Sequence, residues 1–246
     1  MSGARITWLG HATVLIELDG VRLLTDPVLG RRIGPLVRVG GKPVAAAQLG
    51  RIDTVLLSHL HADHADLGSL RRLGAPVIGP VGAGDWLRGA GVADVRELAS
   101  GDQVAVGAVR VIATPAVHDE RRRPFGTQAQ PVGFVVEGSL GVYFAGDTDL
   151  FDGMAEMRGT VDVALLPVWG WGPSVGEGHL DPQRAAQAVA MIEPELAIPV
   201  HWGTFALPWA RGGDTDRPAR EFAELVAGLA PAVEVRVLRP GESAEL

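Results

Sequence analysis

The hydrophobic pattern of the chain consists of short apolar runs, many rich in β-branched residues, that are separated by turn residues such as glycine, proline and aspartate. Runs of this length are typical of β-strands. Asp19-Gly20 and Gly138-Ser139 each lie between two such runs and predict hairpin turns. The predicted strands cover residues 5–9, 14–18, 21–25, 54–58, 76–78, 95–98, 104–114, 134–137, 142–145, 163–167, 197–200 and 234–238.

Helical patterns are fewer. Asp181 and Pro182 mark the clearest helix start, because an aspartate accepts the unpaired amides of a first turn and a proline lacks the amide that would stay unpaired. The mixture of strands and helices is that of an α/β (α+β) chain. The predicted helices cover residues 67–73, 85–89, 182–192 and 218–229.

Composition limits the classes of protein. A chain of 246 residues that is 47% hydrophobic can bury one large core, and we expect a single domain over residues 1–246. The formal charge of −7 opposes binding to nucleic acid. Without cysteine, any metal must be held by nitrogen and oxygen atoms. No apolar run approaches the ~20 residues of a membrane span, and no targeting segment is evident, so we expect a cytoplasmic protein.

Candidate metal ligands follow several predicted strands, most densely in the run Ser58-His59-Leu60-His61-Ala62-Asp63-His64. In a tight loop His59 and His61 can face one ion, whereas Asp63 and His64 reach a second. Three protein ligands and a water molecule are typical of a catalytic rather than a structural zinc site. The candidate ligands are His59, His61, Asp63, His64, His118, Asp147 and His201.

Two neighbouring ions would suit hydrolysis. Hydrolytic metal pairs lie about 3.5–4 Å apart, and a bridging carboxylate, for which Asp147 is the candidate, keeps that spacing. Two divalent ions less Asp63, Asp147 and one hydroxide leave a charge of about +1, which favours an anionic substrate such as a phosphodiester. The hydroxide held between the ions would then attack phosphorus or a carbonyl carbon.

These motifs resemble those of the metallo-β-lactamase-fold hydrolases. Trp8-Leu9-Gly10-His11-Ala12-Thr13, Thr25-Asp26-Pro27, Gly146-Asp147-Thr148, His179-Leu180-Asp181-Pro182 and His201-Trp202-Gly203-Thr204-Phe205 are similar to the branch with N-acylphosphatidylethanolamine phospholipase D and the ascorbate-6-phosphate lactonase. The resemblance implies a four-layer αββα sandwich with the site at one edge. It also implies one ion on His59, His61 and His118, another on Asp63, His64 and His201, and Asp147 between them.

Two stretches depart from the phospholipase pattern. The phospholipase pattern has aromatic residues and a different acid after the third ligand, whereas this chain has Asp119-Glu120-Arg121-Arg122-Arg123. The pattern also has a glycine where this chain has Asp149. The substrate therefore does not follow from the resemblance. The arginines either meet a phosphate group, since guanidinium matches its oxygens, or belong to a solvated loop.

Several further residues have two interpretations. Besides Asp63, the catalytic candidates are His179, which either donates to a leaving group or is structural, and His11, which either acts directly or supports a ligand by hydrogen bonding. Asp26 either orients His59 or His64 or forms an ordinary turn before proline. Four tryptophans near the candidate ligands either line an apolar substrate pocket or fill the core: Trp169, Trp171, Trp202 and Trp209.

The sequence therefore predicts a binuclear metal-dependent hydrolase. The first hypothesis is a phosphodiesterase, with a small-molecule or lipid-like phosphodiester as substrate. The second is a lactone or ester hydrolase with the same centre. A non-catalytic metal-binding or interaction protein and an iron-dependent redox protein are weaker alternatives. Zinc is the expected metal for a nitrogen-rich site, and manganese and iron suit similar ligands.

Overall fold

A computed structural model describes residues 3–121, 126–172, 174–210 and 214–246. In these residues the strands are β1 (Arg5–Gly10), β2 (Thr13–Leu18), β3 (Val21–Thr25), β4 (Arg32–Ile33), β5 (Leu36–Arg38), β6 (Thr54–Leu56), β7 (Val77–Pro80), β8 (Val95–Leu98), β9 (Gln103–Val106), β10 (Val109–Pro115), β11 (Val132–Glu137), β12 (Gly141–Phe144), β13 (Val163–Pro167), β14 (Leu196–Val200), β15 (Phe205–Ala206), β16 (Glu234–Val235) and β17 (Ser243–Glu245).

The α-helices are α1 (Leu67–Leu73), α2 (Gly84–Gly89), α3 (Pro182–Ile192) and α4 (Arg217–Leu229), and short 3₁₀ helices lie at Ala46–Leu49, Asp152–Met157 and Pro208–Ala210. As predicted, Asp181 caps α3 and accepts the amide of Arg184. No helix in the described part of the chain is both long and apolar enough to cross a membrane.

Two seven-stranded sheets share one plan. The first has the order β17-β1-β2-β3-β6-β7-β8, and the second has the order β16-β14-β13-β12-β11-β10-β9. In each, an antiparallel meander leads into parallel strands: β3 pairs parallel with β6, and β12 pairs parallel with β13. A small third sheet has the order β15-β5-β4. The two halves of the chain therefore share a topology.

The layers are helix, sheet, sheet and helix. Trp8 and Ile16 of the first sheet share a core with Phe134 and Phe144 of the second, and that core extends to Val189 of α3. The outer face of the first sheet packs against Leu70 of α1 and Leu87 of α2 in a separate apolar cluster. This αββα arrangement is the predicted sandwich.

Three predicted segments need correction. Residues 104–114 are not one strand but the hairpin β9–β10, because Gly107 turns the chain with a φ of 57°. The predicted strand 54–58 ends at Leu56, and the strand predicted at 234–238 ends at Val235 because β16 pairs with β14 over two residues only. The small third sheet and β17 were not predicted from the sequence.

Candidate metal centre

The candidate ligands converge at one edge of the sandwich. His59 lies just beyond β6, His118 just beyond β10, Asp147 just beyond β12 and His201 directly after β14. Within the described residues, ligand atoms lie within 4.8 Å of one another in four overlapping groups: His59, His61 and His118; His11, Asp63, His64 and His201; Asp26, His59 and His64; and His118, Asp147 and His179.

The first group contains the three histidines His59, His61 and His118. Nδ1 of His61 lies 3.0 Å from Nε2 of His118. The other nitrogen of each ring is engaged elsewhere: Nε2–H of His61 donates to the carbonyl of Arg121 (3.2 Å), and Nδ1–H of His118 donates to the carbonyl of Gly178 (2.8 Å). Nε2 of His59 is buried and has no hydrogen-bond partner among the described residues.

The second group is built in the same way. Nε2 of His64 and Nε2 of His201 lie 3.0 Å apart. Nδ1–H of His64 donates to Oδ2 of Asp26 (2.7 Å), and Nδ1–H of His201 donates to the carbonyl of Trp169 (2.7 Å). Oδ2 of Asp63 lies 3.8 Å from Nε2 of His201.

Asp147 lies between the two groups. Its Oδ2 is 3.1 Å from Nε2 of His64, and its Oδ1 is 3.4 Å from Nε2 of His201. On the other side it belongs to the group with His118 and His179, and Oδ2 is 3.6 Å from Nε2 of His179. Oδ1 is buried and makes no hydrogen bond within the described residues.

Asp26 orients histidines of both groups. Besides the direct bond to His64, Oδ2 accepts the hydroxyl of Ser58 (2.5 Å), and that hydroxyl accepts Nδ1–H of His59 (2.9 Å). Oδ1 accepts the amide of Ser58 (2.7 Å). These bonds fix the protonated nitrogen of each ring and leave Nε2 facing the site. The sequence analysis considered Asp26 for this role but missed Ser58.

The backbone at the site is strained at three non-glycine residues. His11, Asp26 and His201 have φ of 54°, 32° and 63°, a region that L-residues rarely adopt. Such strain persists only where surrounding contacts hold it, and it is concentrated at functional sites. The amide of His201 donates to the carbonyl of His11 (2.9 Å), and the amide of His11 donates to the hydroxyl of Thr204 (2.7 Å).

Burial keeps most of these histidines neutral. It lowers the pKa of His118 to about 4 and that of His201 to about 3. Burial also lowers the pKa of His61 and, together with the nearby rings of His64 and His118, takes the pKa of His59 well below 6.5. Neutral imidazole is the form that binds metals.

His64 differs from the other histidines of the centre. Burial acts to lower its pKa, but the carboxylates of Asp147 and Asp26 outweigh burial and raise the pKa well above 6.5. Conversely, burial acts to raise the pKa values of Asp63 and Asp147, and the neighbouring histidines outweigh it, so both carboxyl groups are ionised at neutral pH.

The donor set fits divalent cations. His61 and His118 are neutral and donate their only N–H elsewhere, so two lone pairs face each other across 3.0 Å. A cation between the two nitrogens removes that repulsion. Tetrahedral Zn–N bonds place two nitrogens about 3.3 Å apart, within a few tenths of an ångström of the observed spacing.

Comparison with known proteins places the chain in a family. Residues 21–202 match the family described as Beta-lactamase superfamily domain. A UPF0173 metal-dependent hydrolase of Methanopyrus kandleri is 38% identical, over 98% of this chain and 99% of its own length. Another from Caldivirga maquilingensis is 34% identical over 96% of both chains. The chain belongs to the UPF0173 metal-dependent hydrolases. The structure of Igni18, a metallo hydrolase from Ignicoccus hospitalis, matches with a TM-score of 0.78 and 26% identity, over 100% of this chain and 99% of that one.

This UPF0173 protein is therefore a metal-dependent hydrolase with a metallo-β-lactamase fold. The family sets aside the hypothesis of a non-catalytic protein. The fold and the general activity that the resemblance implied are confirmed, whereas the phospholipase branch stays a prediction.

A cleft of about 710 Å³ opens onto the metal centre of this UPF0173 hydrolase. The site residues Asp63, His118, Asp147, His179 and His201 line it together with the loop at 170–177. The described lining residues include the acidic side chains Asp119 and Glu177 and no lysine or arginine. Arg121 is exposed, and Arg122 and Arg123 lie outside the described residues.

His179 and His11 occupy different environments. His179 lines the cleft, and its Nδ1–H donates to the carbonyl of Glu177 (3.0 Å), so Nε2 faces the site. His11 is fully buried, its Nε2–H donates to Oδ2 of Asp63 (3.1 Å), and its ring lies 3.8 Å from that of His201.

The four tryptophans near the site divide between the two interpretations. Trp202 is buried against Trp8, with ring centroids 4.7 Å apart, and fills the core. Trp171 lines the cleft, whereas Trp169 and Trp209 line a second cavity beside it.

Proposed function

We propose that the chain is a binuclear hydrolase. His59, His61 and His118 would hold one divalent ion, Asp63, His64 and His201 the other, and Asp147 would bridge them. The observation that carries the proposal is the pair of facing nitrogens in each group, together with two buried atoms, Nε2 of His59 and Oδ1 of Asp147, that have no hydrogen-bond partner among the described residues. Zinc is the proposed metal because imidazole nitrogen predominates among the donors.

The chemistry of the bound ions would be hydrolytic. When bound, two divalent ions would lower the pKa of a water molecule towards neutrality and would polarise the acceptor oxygen of the substrate. With a second proton on Nε2, His179 would have the exposure and direction to donate that proton to the leaving group and return to its neutral form. His11 is outside the cleft lining, and its bond to Asp63 supports a role in positioning that carboxylate.

We propose a phosphodiester as the substrate class. Two divalent ions, less Asp63, Asp147 and one hydroxide, would give the loaded centre a charge of about +1, which would attract a monoanionic diester, and the resemblance to the phospholipase branch supports the same class. A lactone or carboxylic ester is the second candidate. The observation that favours it is the cleft lining, whose described residues include Glu177 and no lysine or arginine.

Parallel assays separate these two classes. Zinc-loaded protein is tested on bis-p-nitrophenyl phosphate and on a panel of lactones and p-nitrophenyl esters. We expect diester hydrolysis that chelation abolishes and that Asp147→Asn lowers by roughly a hundred-fold or more. Asp152→Asn, an exposed change nearby in the sequence, is the matched control and should retain the activity. Activity on lactones or esters alone would overturn the diester proposal, and hydrolysis undiminished by Asp147→Asn would overturn the binuclear mechanism.

A further inference from the structure

A second cavity of about 410 Å³ adjoins the catalytic cleft. Large apolar side chains dominate its lining, and the only carboxylate among the described lining residues is Asp214. The apolar lining residues are Trp169, Trp171, Phe205, Ala206, Leu207, Trp209, Ala210 and Pro218. A volume of this size is within the range of small-molecule sites, in which apolar walls contribute most of the contact area.

The wall between the two cavities is the segment Gly170-Trp171-Gly172, whose three residues line both. This wall is fixed to the metal centre. The carbonyl of Trp169 accepts Nδ1–H of His201, and Nε1–H of Trp169 donates to the carbonyl of Gly172 (3.1 Å). A side chain at Gly170 would begin only 3.9 Å from Cε1 of His201, so the wall leaves little more than a van der Waals gap beside this candidate ligand.

The opposite wall is also held in place. The ring of Phe205 meets that of His11 edge-on at 5.4 Å between centroids, and the guanidinium of Arg38 lies 4.8 Å from the Phe205 centroid. Arg38 itself donates to the carbonyls of Gly30 and Val28. Both walls of the cavity are therefore connected to residues of the centre.

Two of its tryptophans are exposed to an unusual degree. The exposed fraction is 78% for Trp209 and 42% for Trp171, and an exposed apolar cluster of this kind typically marks a binding surface. The position of the cluster beside the reacting centre indicates which molecule covers it, because a group attached to a substrate held in the cleft can reach across the shared wall.

We propose that the second cavity binds an uncharged apolar group of the substrate, such as an aryl or alkyl substituent next to the scissile bond. This inference rests on the proposed function, because the group is part of the molecule hydrolysed in the cleft. It makes the substrate an amphipathic diester or ester rather than a small polar one.

The first test measures binding without hydrolysis. Metal-free protein is titrated with benzyl alcohol, and the six indole N–H signals are followed by NMR. We expect saturable shifts of Trp169, Trp171 and Trp209, no shift of Trp86, and loss of the effect in Ala210→Phe, which fills the cavity. Shifts spread equally over all indoles, or shifts caused by phosphatidylcholine vesicles and not by benzyl alcohol, would overturn the proposal.

The second test measures selectivity. Zinc-loaded protein is assayed with benzyl and methyl p-nitrophenyl phosphate, or with the matching ester pair. In Trp209→Ala and Ala210→Phe, kcat/KM for the benzyl substrate should fall about ten-fold while that for the methyl substrate stays unchanged. Leu229→Ala, exposed on α4, is the control. Equal effects on both substrates would overturn the inference, whereas absence of all hydrolysis would count against the proposed function and leave the NMR result to decide the cavity.

Discussion

At the residue scale, Asp26 connects the two halves of the centre. Its carboxylate accepts His64 directly and His59 through Ser58, and it is fully buried. The sequence suggested Asp26 as one of two interpretations, because a carboxylate can orient the ring of a ligating histidine but an aspartate before proline is also typical of an ordinary turn. Ser58 could not be assigned in the same way, since a serine before a histidine has no distinctive spacing and its hydroxyl is linked here to a residue 32 positions away.

Asp26→Asn should weaken zinc binding at both groups by about 10- to 100-fold, because the amide cannot accept from both His64 and Ser58 with the charge of a carboxylate. Competition with a chromophoric chelator measures the affinity. Asp102→Asn, in a surface turn where Asp102 accepts the amide of Ala99, is the matched control. Unchanged affinity in Asp26→Asn would show that these bonds do not tune the ligands.

Zinc binding at pH 7 should release about one proton per chain from the histidines. The pKa of His64 is raised well above 6.5, so in the metal-free protein this ring carries a proton that zinc must displace, whereas the lowered pKa values of the other candidate histidines leave them unprotonated. Apparent affinity therefore rises with pH until His64 is deprotonated. Calorimetry in buffers of different ionisation enthalpy counts the protons. Release of none, or of three or more, would contradict this assignment.

His179→Ala should reduce hydrolysis most for poor leaving groups, because a proton donated from Nε2 matters little when the departing oxygen is already a weak base. A series of substrates with leaving groups of increasing pKa measures the slope of log kcat against leaving-group pKa. We expect a steeper negative slope in the variant than in the unmodified protein. Parallel slopes would indicate a structural role instead.

At the element scale, the sequence predicted elements whose signals are local. The boundaries of β3, α1, β8, β13 and α3 are those that the pattern gave. The third sheet was missed because β5 and β15 are two or three residues long and exist only through pairing between distant segments, Phe205 with Arg38 and Ala206 with Val37. Such strands owe their conformation to tertiary contacts, which no local pattern records.

The turns after the strands need particular backbones. Gly146 has a φ of 62°, and a Cβ there would lie 2.5 Å from Cβ of Ser58, so this position requires glycine for two reasons. Gly159 has a φ of 76° but nothing within 4 Å of such a Cβ. Substitutions at Gly159 and Gly146 therefore distinguish the cost of backbone strain alone from the cost of strain together with a steric contact at the site.

Gly159→Ala should lower the free energy of unfolding by about 1–2 kcal/mol, the cost of a left-handed backbone for an L-residue. Gly146→Ala should cost clearly more and should also weaken zinc binding, because Ser58 must move and carries His59 with it. Denaturant unfolding and the chelator competition measure both effects. Equal destabilisation of the two variants, with zinc binding intact, would contradict the close approach.

At the scale of the whole molecule, we propose one domain over residues 1–246. Side chains from both large sheets and from α3 and α4 share one core, and the Methanopyrus relative aligns over 98% of the chain. The topology also explains the site, because the first sheet delivers ligands after β6 and the second sheet delivers them after β10, β12 and β14, all at the same edge of the sandwich. Seven side chains that are scattered in the sequence thus become neighbours.

The central claim is a pair of neighbouring ions, and counting them tests it most directly. Metal-free protein is loaded with excess zinc and freed of unbound metal by gel filtration. Zinc is then quantified by inductively coupled plasma mass spectrometry, and protein by absorbance. We expect two zinc ions per chain, and no more than one in the double variant that combines His61→Ala with His118→Ala. One ion per chain in the unmodified protein at saturating zinc would contradict it.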